Sequence, residues 1–231
     1  MNRGSVVPPG IQTTEQLHEE LAERSAAFES ATPGQIVTWA HDRFGDDLVM
    51  ACSFQDIVLL DIALAVDPRL EVIFLDTEAH FPETLEYVET VRNRYNLNLT
   101  VTHPAADAAG TPCGADGCCR VRKVGPLKQA VSGRAAWLTS VKRVDAATRV
   151  ATPIVSWDEA FGLIKINPLA TWSDEDVASY ERDHDLPIHP LIPQGYLSIG
   201  CAPTTRPVAP GEDPRSGRWA DTDKIECGLH E

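Results

Sequence analysis

The sequence has no apolar run long enough to cross a membrane, and it has few basic residues. Its most apolar stretch, residues 57–66, is interrupted by Asp61 and falls well short of the roughly 20 residues that a transmembrane helix needs. Residues 1–16 lack the apolar stretch and cleavage site of a secretory signal, so we expect a cytoplasmic protein. Lys and Arg number 20 against 34 Asp and Glu, a net charge of −14. This balance argues against non-specific binding to nucleic acid or to an anionic membrane.

Aromatic residues are also scarce, at 6%, but the remaining composition is that of an ordinary folded protein. Hydrophobic residues make up 43% and charged residues 23% of the 231 residues, which argues against a disordered or fibrous chain. A chain of this length fits one α/β domain with tails. We expect N-terminal helices in residues 1–45, an α/β domain in residues 46–200 and a C-terminal tail in residues 201–231.

Short apolar segments alternate with longer amphipathic ones along most of the chain. The apolar segments lie near residues 47–53, 70–76, 97–102 and 135–141. They predict strands, and the segments between them predict helices. This alternation favours an α/β fold whose parallel sheet is covered by helices on both faces. Ser173, with Asp176 three residues later, predicts the start of a last long helix.

Two loops that follow predicted strands carry polar side chains. Ser53 lies in SFQD after the first strand, and Leu75 and Asp76 lie in LDT at the end of the second. Open parallel sheets bind ligands at the carboxyl ends of their strands, and N–H groups at the start of a helix can bind an anion. The alternative for Asp76 is that it caps a turn.

Basic residues are concentrated in one part of this acidic chain. Residues 118–165 contain nine Lys or Arg and three Asp or Glu, whereas residues 1–117 contain six and nineteen. One interpretation is a solvated basic face. The other is a pocket for a small, multiply charged anion.

Six cysteines in a protein expected in the cytoplasm favour metal binding or thiol chemistry over disulfides. Cys118 and Cys119 are adjacent and precede a predicted helix that begins with basic residues, a setting that stabilises thiolates. Cys201 lies in a turn flanked by Gly and Pro, where a thiolate could face a metal cluster. Cys52 is interpreted as a small buried hydrophobic residue, and Cys113 as incidental.

Cys227 lies in ECGLH, close to His230, in a segment that shows no pattern of core residues. An exposed cysteine of this kind is a candidate nucleophile. His230 either favours the thiolate or is simply exposed.

Several segments, taken together and in order, resemble the assimilatory adenylyl-sulfate reductases of bacteria, in the phosphoadenylyl-sulfate reductase family. They are SFQD, LDT, CCRVRKVGPL, KINPLATWSDEDV, SIGCAP, PRSGRW and ECGLH, and the resemblance covers most of residues 48–231. It implies an adenine-nucleotide α-hydrolase-like (Rossmann-like) fold, adenylyl sulfate as the substrate, a 4Fe-4S cluster as the cofactor and thioredoxin as the reductant.

The resemblance also implies roles for single residues. Cys227 would attack the sulfur of the sulfate, releasing AMP and leaving an S-sulfocysteine. An anionic nucleophile approaching an anionic group needs cations nearby. The implied substrate-binding residues are Ser53, Leu75, Asp76, Lys123, Arg143, Arg149, Arg215, Arg218 and His230.

The resemblance implies Cys118, Cys119 and Cys201 as cluster ligands, but the chain departs from the family at the fourth position. There the family's CxxC pair reads Cys201, Ala202, Pro203, Thr204. A 4Fe-4S cluster normally takes four thiolates. Either three cysteines hold the cluster with another ligand on the fourth iron, or Cys113 moves in, or the cluster is lost. We expect a cluster that assembles but is labile.

Three rival functions remain open. A reductase of 3'-phosphoadenylyl sulfate without a functional cluster would share Cys227 and the basic pocket. A non-catalytic iron-sulfur or thiol sensor would use the other cysteines but would not need ECGLH. An ATP-cleaving relative would be expected to have a Ser-Gly-Gly-x-Asp-Ser type phosphate loop, whereas SFQD contains no glycine.

Overall fold

A mostly parallel, six-stranded sheet organises the chain, in the order β3-β2-β1-β4-β6-β5. The computed structural model describes residues 14–105, 108, 110–219, 224, 226, 228 and 229. The strands are β1 (Leu48–Ala51), β2 (Glu71–Leu75), β3 (Leu99–Thr102), β4 (Ala136–Leu138), β5 (Val155–Asp158) and β6 (Leu163–Ile166). The β1/β4 and β4/β6 pairs are parallel, with Leu48 opposite Ala136 and Ala136 opposite Ile164. The edge strand β5 is antiparallel to β6.

Helices separate the strands, as the alternating pattern predicts. They are α1 (Thr14–Ala27), α2 (Pro33–Phe44), α3 (Val58–Val66), α4 (Pro82–Tyr95), α5 (Gly125–Ala130) and α6 (Asp174–Asp183). Thr32 caps α2, and its side chain accepts a hydrogen bond from the Gln35 backbone N–H while the Gln35 side chain accepts one from Thr32. This reciprocal pair and the proline that follows explain why α2 begins where it does.

The chain divides into two compact units of three segments each. Unit 1 comprises the chain up to residue 52 together with 57–72 and 131–185, and unit 2 comprises 53–56, 73–130 and the chain from 186 onward. In unit 1 the apolar side chains of β1, β4 and β6 are buried, with Trp137 the largest of them. In unit 2 Phe54 and Phe74 pack edge to face with ring centres 5.5 Å apart. The predicted division at residues 45 and 200 stays a prediction.

The four predicted strand segments contain β1, β2, β3 and β4, and helices lie between them as predicted, with one local difference. The helix predicted directly after the cysteine pair begins as a turn of π-helix over Arg120–Val124 before α5 starts. A π-helical turn widens the backbone locally and is frequent at functional sites. Within the described residues, no helix combines the length and apolar character that spanning a membrane requires.

Candidate functional site

The loop after β2 is a tight turn whose groups bond to one another. The Leu75 carbonyl lies 3.0 Å from His80 Nε2, and the Asp76 carboxylate accepts a hydrogen bond of 2.8 Å from the Glu78 backbone N–H. Glu78 has φ of +56°, a left-handed conformation that the Asp76 side chain supports by closing the turn. The alternative weighed for Asp76, a turn-capping role, is therefore present, while Leu75 and Asp76 stay partly exposed.

Four of the cysteines lie in unit 2: Cys113, Cys118, Cys119 and Cys201. Cys118 and Cys119 have their sulfur atoms 3.9 Å apart, and the Cys201 sulfur lies 3.4 Å from the hydroxyl of buried Thr77. Cys113, interpreted from the sequence as incidental, donates a hydrogen bond to Cys201. That interpretation does not account for its position, because Cys113 belongs to the same group of thiols as the predicted ligands.

The turn that begins at Cys201 is held against the loop after β2. Ala202 donates its backbone N–H to the Ala79 carbonyl at 2.7 Å, and the Thr205 hydroxyl donates to the Cys201 carbonyl at 2.9 Å. These two bonds fix the backbone on either side of Thr204. The loop after β2 and the predicted ligand segment therefore form one arrangement within unit 2.

Basic side chains lie against this group of thiols. Lys224 donates a hydrogen bond of 3.1 Å to the Cys119 sulfur, and the charge of Lys123 acts on both Cys119 and Cys201. Arg122 donates to three backbone carbonyls, those of Thr77 at 2.8 Å and of Ala108 and Thr111 at 3.2 Å. The two lysines provide positive charge, and Arg122 joins the loops.

The protonation of the thiols follows from these contacts. The hydrogen bond from Cys113, with help from Lys123 and Thr77, lowers the pKa of Cys201 to about 4 despite burial. The same hydrogen bond, followed by burial, raises the pKa of Cys113. Burial also raises the pKa of Cys119, against the opposing effect of Lys224. Of the two hydrogen-bonded thiols, Cys201 is therefore the more acidic and Cys113 the less acidic.

Two of the predicted substrate-binding arginines also belong to unit 2. Arg218 stacks on Trp219 with 4.5 Å between its guanidinium carbon and the ring centre, and it donates to the Ile199 carbonyl at 3.2 Å. Arg215 pairs with the buried carboxylate of Glu226 at 3.2 Å. These contacts orient both side chains before any substrate is bound.

Gly200, which precedes Cys201, leaves room for the Arg218 guanidinium. A Cβ atom built on Gly200 would lie 2.4 Å from a nitrogen of Arg218. Such an approach is far inside van der Waals contact, so a side chain at position 200 would displace the guanidinium from the place it takes here.

Arg143 and Arg149 lie in unit 1, where both pair with carboxylates. Arg143 donates to the two Glu29 oxygens at 2.8 and 2.6 Å, which raises the pKa of its guanidinium and lowers that of the Glu29 carboxyl. Arg149 is buried and lies 3.2 Å from Asp145. Their predicted role in substrate binding stays a prediction.

Ser53 is exposed and directly follows the end of the β1 region, in the SFQD loop of unit 2. The side-chain amide oxygen of nearby Gln55, Oε1, accepts a hydrogen bond of 2.8 Å from the Ile199 backbone N–H. This bond connects the SFQD loop to the segment that leads into Cys201. Cys227 and His230 lie outside the described residues.

Thr77, Arg122 and Lys224 belong to this site although the sequence did not single them out, and Cys113 was considered only as one alternative for the fourth ligand. Cys113 had a visible signal, since it lies only five residues before the predicted ligand pair in a glycine-rich loop. Arg122 and Thr77, which are hydrogen bonded to each other, lie 45 positions apart in the sequence. The other contacts of Arg122 reach residues as much as 14 positions away. No local pattern encodes contacts of that kind.

The donor set suits the iron-sulfur cluster that the resemblance implies. Thiolate sulfur is the usual ligand of such clusters, and unit 2 gathers Cys113, Cys118, Cys119 and Cys201 in the presence of lysine charge. Among the described residues, no three His, Cys, Asp or Glu side chains are arranged around a single metal ion.

Comparisons with known proteins find one family with similar sequences. Residues 47–207 match the phosphoadenosine phosphosulfate reductase domain. An adenosine 5'-phosphosulfate reductase of Mycolicibacterium smegmatis is 45% identical, covering 94% of this chain and 97% of that protein. One of Rhodococcus erythropolis is 43% identical, with coverages of 91% and 93%.

Solved structures support the same fold. A phosphoadenylyl-sulfate reductase from Candida auris, solved as a phosphate complex, superposes with a TM-score of 0.69 at 25% identity over 85% of this chain and 99% of that one. An FMN adenylyltransferase from Candida glabrata superposes with a TM-score of 0.61 at 15% identity, covering 80% of this chain and 65% of that one. The second likeness concerns the fold alone and agrees with the expected adenine-nucleotide α-hydrolase-like architecture.

Proposed function

This chain belongs to the phosphoadenosine phosphosulfate reductase family, and we propose that it is an adenosine 5'-phosphosulfate reductase that uses thioredoxin as its reductant. The observation that carries the proposal is the likeness, over more than nine tenths of the chain, to reductases of adenosine 5'-phosphosulfate. The grouping of Cys118, Cys119 and Cys201 in unit 2 supports it.

The reaction takes place in two steps. The Cys227 thiolate attacks the sulfur of the sulfate, a sulfur-sulfur bond forms, and AMP leaves with the electron pair of the broken oxygen-sulfur bond. A thioredoxin thiolate then attacks the Cys227 sulfur, and sulfite leaves with the electron pair of the sulfur-sulfur bond. The second thiol of thioredoxin resolves the mixed disulfide, so thioredoxin is oxidised by two electrons and Cys227 is regenerated.

Cations and loops of this chain make the first step possible. A negative thiolate approaching a phosphosulfate is repelled unless positive charge offsets the repulsion. Lys123, Arg215 and Arg218 supply such charge in unit 2, and the contacts of Arg218 with Trp219 and Ile199 fix its direction in advance. Arg143 and Arg149 are the candidates in unit 1. Ser53 and the turn of Leu75 and Asp76 bind the nucleotide. His230 lies three residues after Cys227 and favours its thiolate form.

A 4Fe-4S cluster, when bound, adds its own charge to this part of unit 2 and joins the segments that carry its cysteine ligands. Cys118, Cys119 and Cys201 are the residues that would hold it. In this proposal the protein takes part in sulfate assimilation, with adenosine 5'-phosphosulfate and thioredoxin as its partners.

The experiment is sulfite release from adenosine 5'-phosphosulfate in the presence of reduced thioredoxin, with 3'-phosphoadenosine 5'-phosphosulfate as the competing substrate. We expect the unphosphorylated substrate to be used at least tenfold more efficiently. The opposite preference would reassign the chain to the phosphorylated substrate, and the absence of sulfite from both would exclude reductase activity.

The Cys227→Ser variant tests the nucleophile. Mixed with substrate and no thioredoxin, the unaltered protein should gain the mass of one sulfonate group on Cys227, and the variant should gain none and release no sulfite. Cys52→Ala is the matched control, because Cys52 is buried beside β1 and has no part in the proposed chemistry. Sulfite release that persists in Cys227→Ser would exclude the proposed mechanism.

A further inference from the structure

Thr204 stands where the family has its fourth ligand cysteine, and a threonine hydroxyl is a poor ligand for iron-sulfur clusters, which are normally held by four thiolates. Three cysteines at the family's other positions leave one iron without a thiolate. Unit 2 contains a further thiol, Cys113, outside the positions that define the family's ligand set.

The structure brings Cys113 to the side chain of Thr204. The Cys113 sulfur is hydrogen bonded both to Thr204 and to Cys201. The next residue, Gly114, lies so close that a Cβ atom built on it would be 3.1 Å from the Thr204 methyl carbon. The loop carrying Cys113 therefore packs directly on the side chain at the family's fourth ligand position.

We propose that Cys113 supplies the fourth thiolate of the cluster and so compensates for Thr204. On binding, the Cys113 thiol releases its proton to solvent and its sulfur forms a bond to iron, with no change in oxidation state. The proposal rests on the proposed function for the identity of the cluster, and it deepens it by assigning a ligand set to this chain: Cys113, Cys118, Cys119 and Cys201.

The loop of Cys113 is already anchored in a way that suits a ligand. Arg122 donates to the Thr111 carbonyl, two residues before Cys113, and to the Ala108 carbonyl, both at 3.2 Å. The Ala115 backbone N–H donates to the Pro112 carbonyl, and that of Cys118 donates to the Ala115 carbonyl, both at 3.1 Å. These bonds turn the chain from Cys113 back to Cys118, so one short segment presents three thiols.

The other cysteines are less suitable. Cys52 belongs to unit 1, at the end of the β1 region, whereas the four proposed ligands all belong to unit 2. Cys227 is the proposed nucleophile and must be free to react. Cys113 is therefore the thiol that the described contacts favour.

The test compares iron and acid-labile sulfide content, visible absorbance and Mössbauer spectra of anaerobically purified and reconstituted protein. The variants are Cys113→Ser, Thr204→Cys, the double variant Cys113→Ser/Thr204→Cys, and Cys52→Ala as the control. We expect about four irons per chain in the unaltered protein and in the control. Cys113→Ser should lose at least half of its iron, and the double variant should regain it, because Thr204→Cys restores a thiol beside the same position.

Recovery in the double variant also shows that Cys113→Ser does not lose iron merely by failing to fold, and circular dichroism of each variant checks this directly. The proposal is overturned if Cys113→Ser keeps the iron content and spectrum of the unaltered protein, if Thr204→Cys fails to restore iron to it, or if the unaltered protein binds no iron after reconstitution.

Sulfite release, measured on the same samples, separates this proposal from the proposed function. If the iron content falls in Cys113→Ser but the unaltered protein releases no sulfite from adenosine 5'-phosphosulfate, the ligand assignment is supported and the proposed function is excluded. If the unaltered protein releases sulfite but the iron content is the same in Cys113→Ser, the proposed function is supported and the ligand assignment is excluded.

Discussion

Arg122 contributes to the site through its shape more than through its charge. Its guanidinium donates to the carbonyls of Thr77, Ala108 and Thr111, which belong to the loop after β2 and to the loop that leads to Cys113. A guanidinium presents five donors in a rigid plane, whereas an ammonium presents three on a flexible stem. A single lysine therefore cannot replace Arg122 as the connection between these loops.

Arg122→Lys should destabilise the protein by roughly 1–3 kcal/mol, since carbonyls in partly buried surroundings lose their donors. It should also lower the iron retained after anaerobic purification, because the loop of Cys113 is no longer held. Urea unfolding and iron analysis measure the two effects. Arg120→Lys, an exposed position in the same π-helical turn, is the control. Equal stability of the two variants would show that the carbonyl contacts of Arg122 contribute nothing measurable.

Residue identities in the site could be predicted where the sequence itself carries a pattern. The adjacent Cys118 and Cys119 and the turn at Cys201 were picked out as candidate ligands in this way. Their ligand role stays a prediction, and the structure groups all three in unit 2. The contacts of Cys113 with Cys201 and Thr204 could not be predicted, because these partners lie 88 and 91 positions away in the sequence. The pairing of Arg143 with Glu29 is likewise a long-range contact that composition and spacing do not encode.

At the scale of elements, α6 begins where its capping residues require. The Ser173 hydroxyl accepts a hydrogen bond of 3.1 Å from the Asp176 backbone N–H, and the Asp176 carboxylate accepts one of 2.8 Å from the Ser173 backbone N–H. The Ser173 hydroxyl also donates a hydrogen bond of 2.7 Å to the Asp176 carboxylate, and this bond, followed by the one from the Ser173 backbone N–H, lowers the pKa of the Asp176 carboxyl. The predicted cap is therefore confirmed with aspartate in the place usually taken by glutamate.

Ser173→Ala should lower the free energy of unfolding by about 1 kcal/mol, because the Asp176 backbone N–H at the start of α6 loses its acceptor, the Ser173 hydroxyl. Chemical denaturation followed by circular dichroism measures the change. The matched control is Ser179→Ala in the interior of the same helix, where alanine is the better helix former. If the two variants were equally stable, the cap would have no energetic role.

The start of α6 was predictable because capping residues mark it in the sequence. The predicted strands were too long at their ends, since the region predicted over residues 135–141 forms β4 only over Ala136–Leu138. Apolar side chains continue beyond the last paired backbone group, so hydrophobicity alone overestimates strand length. The π-helical turn over Arg120–Val124 was not predicted, because the residue pattern there is also that of an ordinary helix.

At the scale of the whole molecule, the pH dependence of stability is affected by one buried histidine. His189 is 1% exposed, and its Nδ1 accepts a hydrogen bond of 3.2 Å from the Leu191 backbone N–H. Its Nε2 therefore carries the proton and donates to the Thr84 hydroxyl at 3.0 Å. Burial lowers the pKa of His189 to about 4, against a smaller opposing effect of Glu83.

This depressed pKa predicts acid destabilisation. Between about pH 6.5 and pH 4 the unfolded chain binds a proton at residue 189 that the folded chain does not, so unfolding is favoured as the pH falls through this window. The stability contributed by neutral His189 is fully present above about pH 6.5. Between about pH 7 and about pH 5 the free energy of unfolding should fall by about 2 kcal/mol.

His189→Gln cannot gain this proton, so its free energy of unfolding, measured with urea, should depend less steeply on pH. The variant should also be less stable at neutral pH because its packing against Tyr87 changes. His18→Gln, at an exposed position of α1, is the control and should follow the unaltered protein. A His189→Gln curve parallel to that of the unaltered protein would show that the burial of His189 does not govern its protonation.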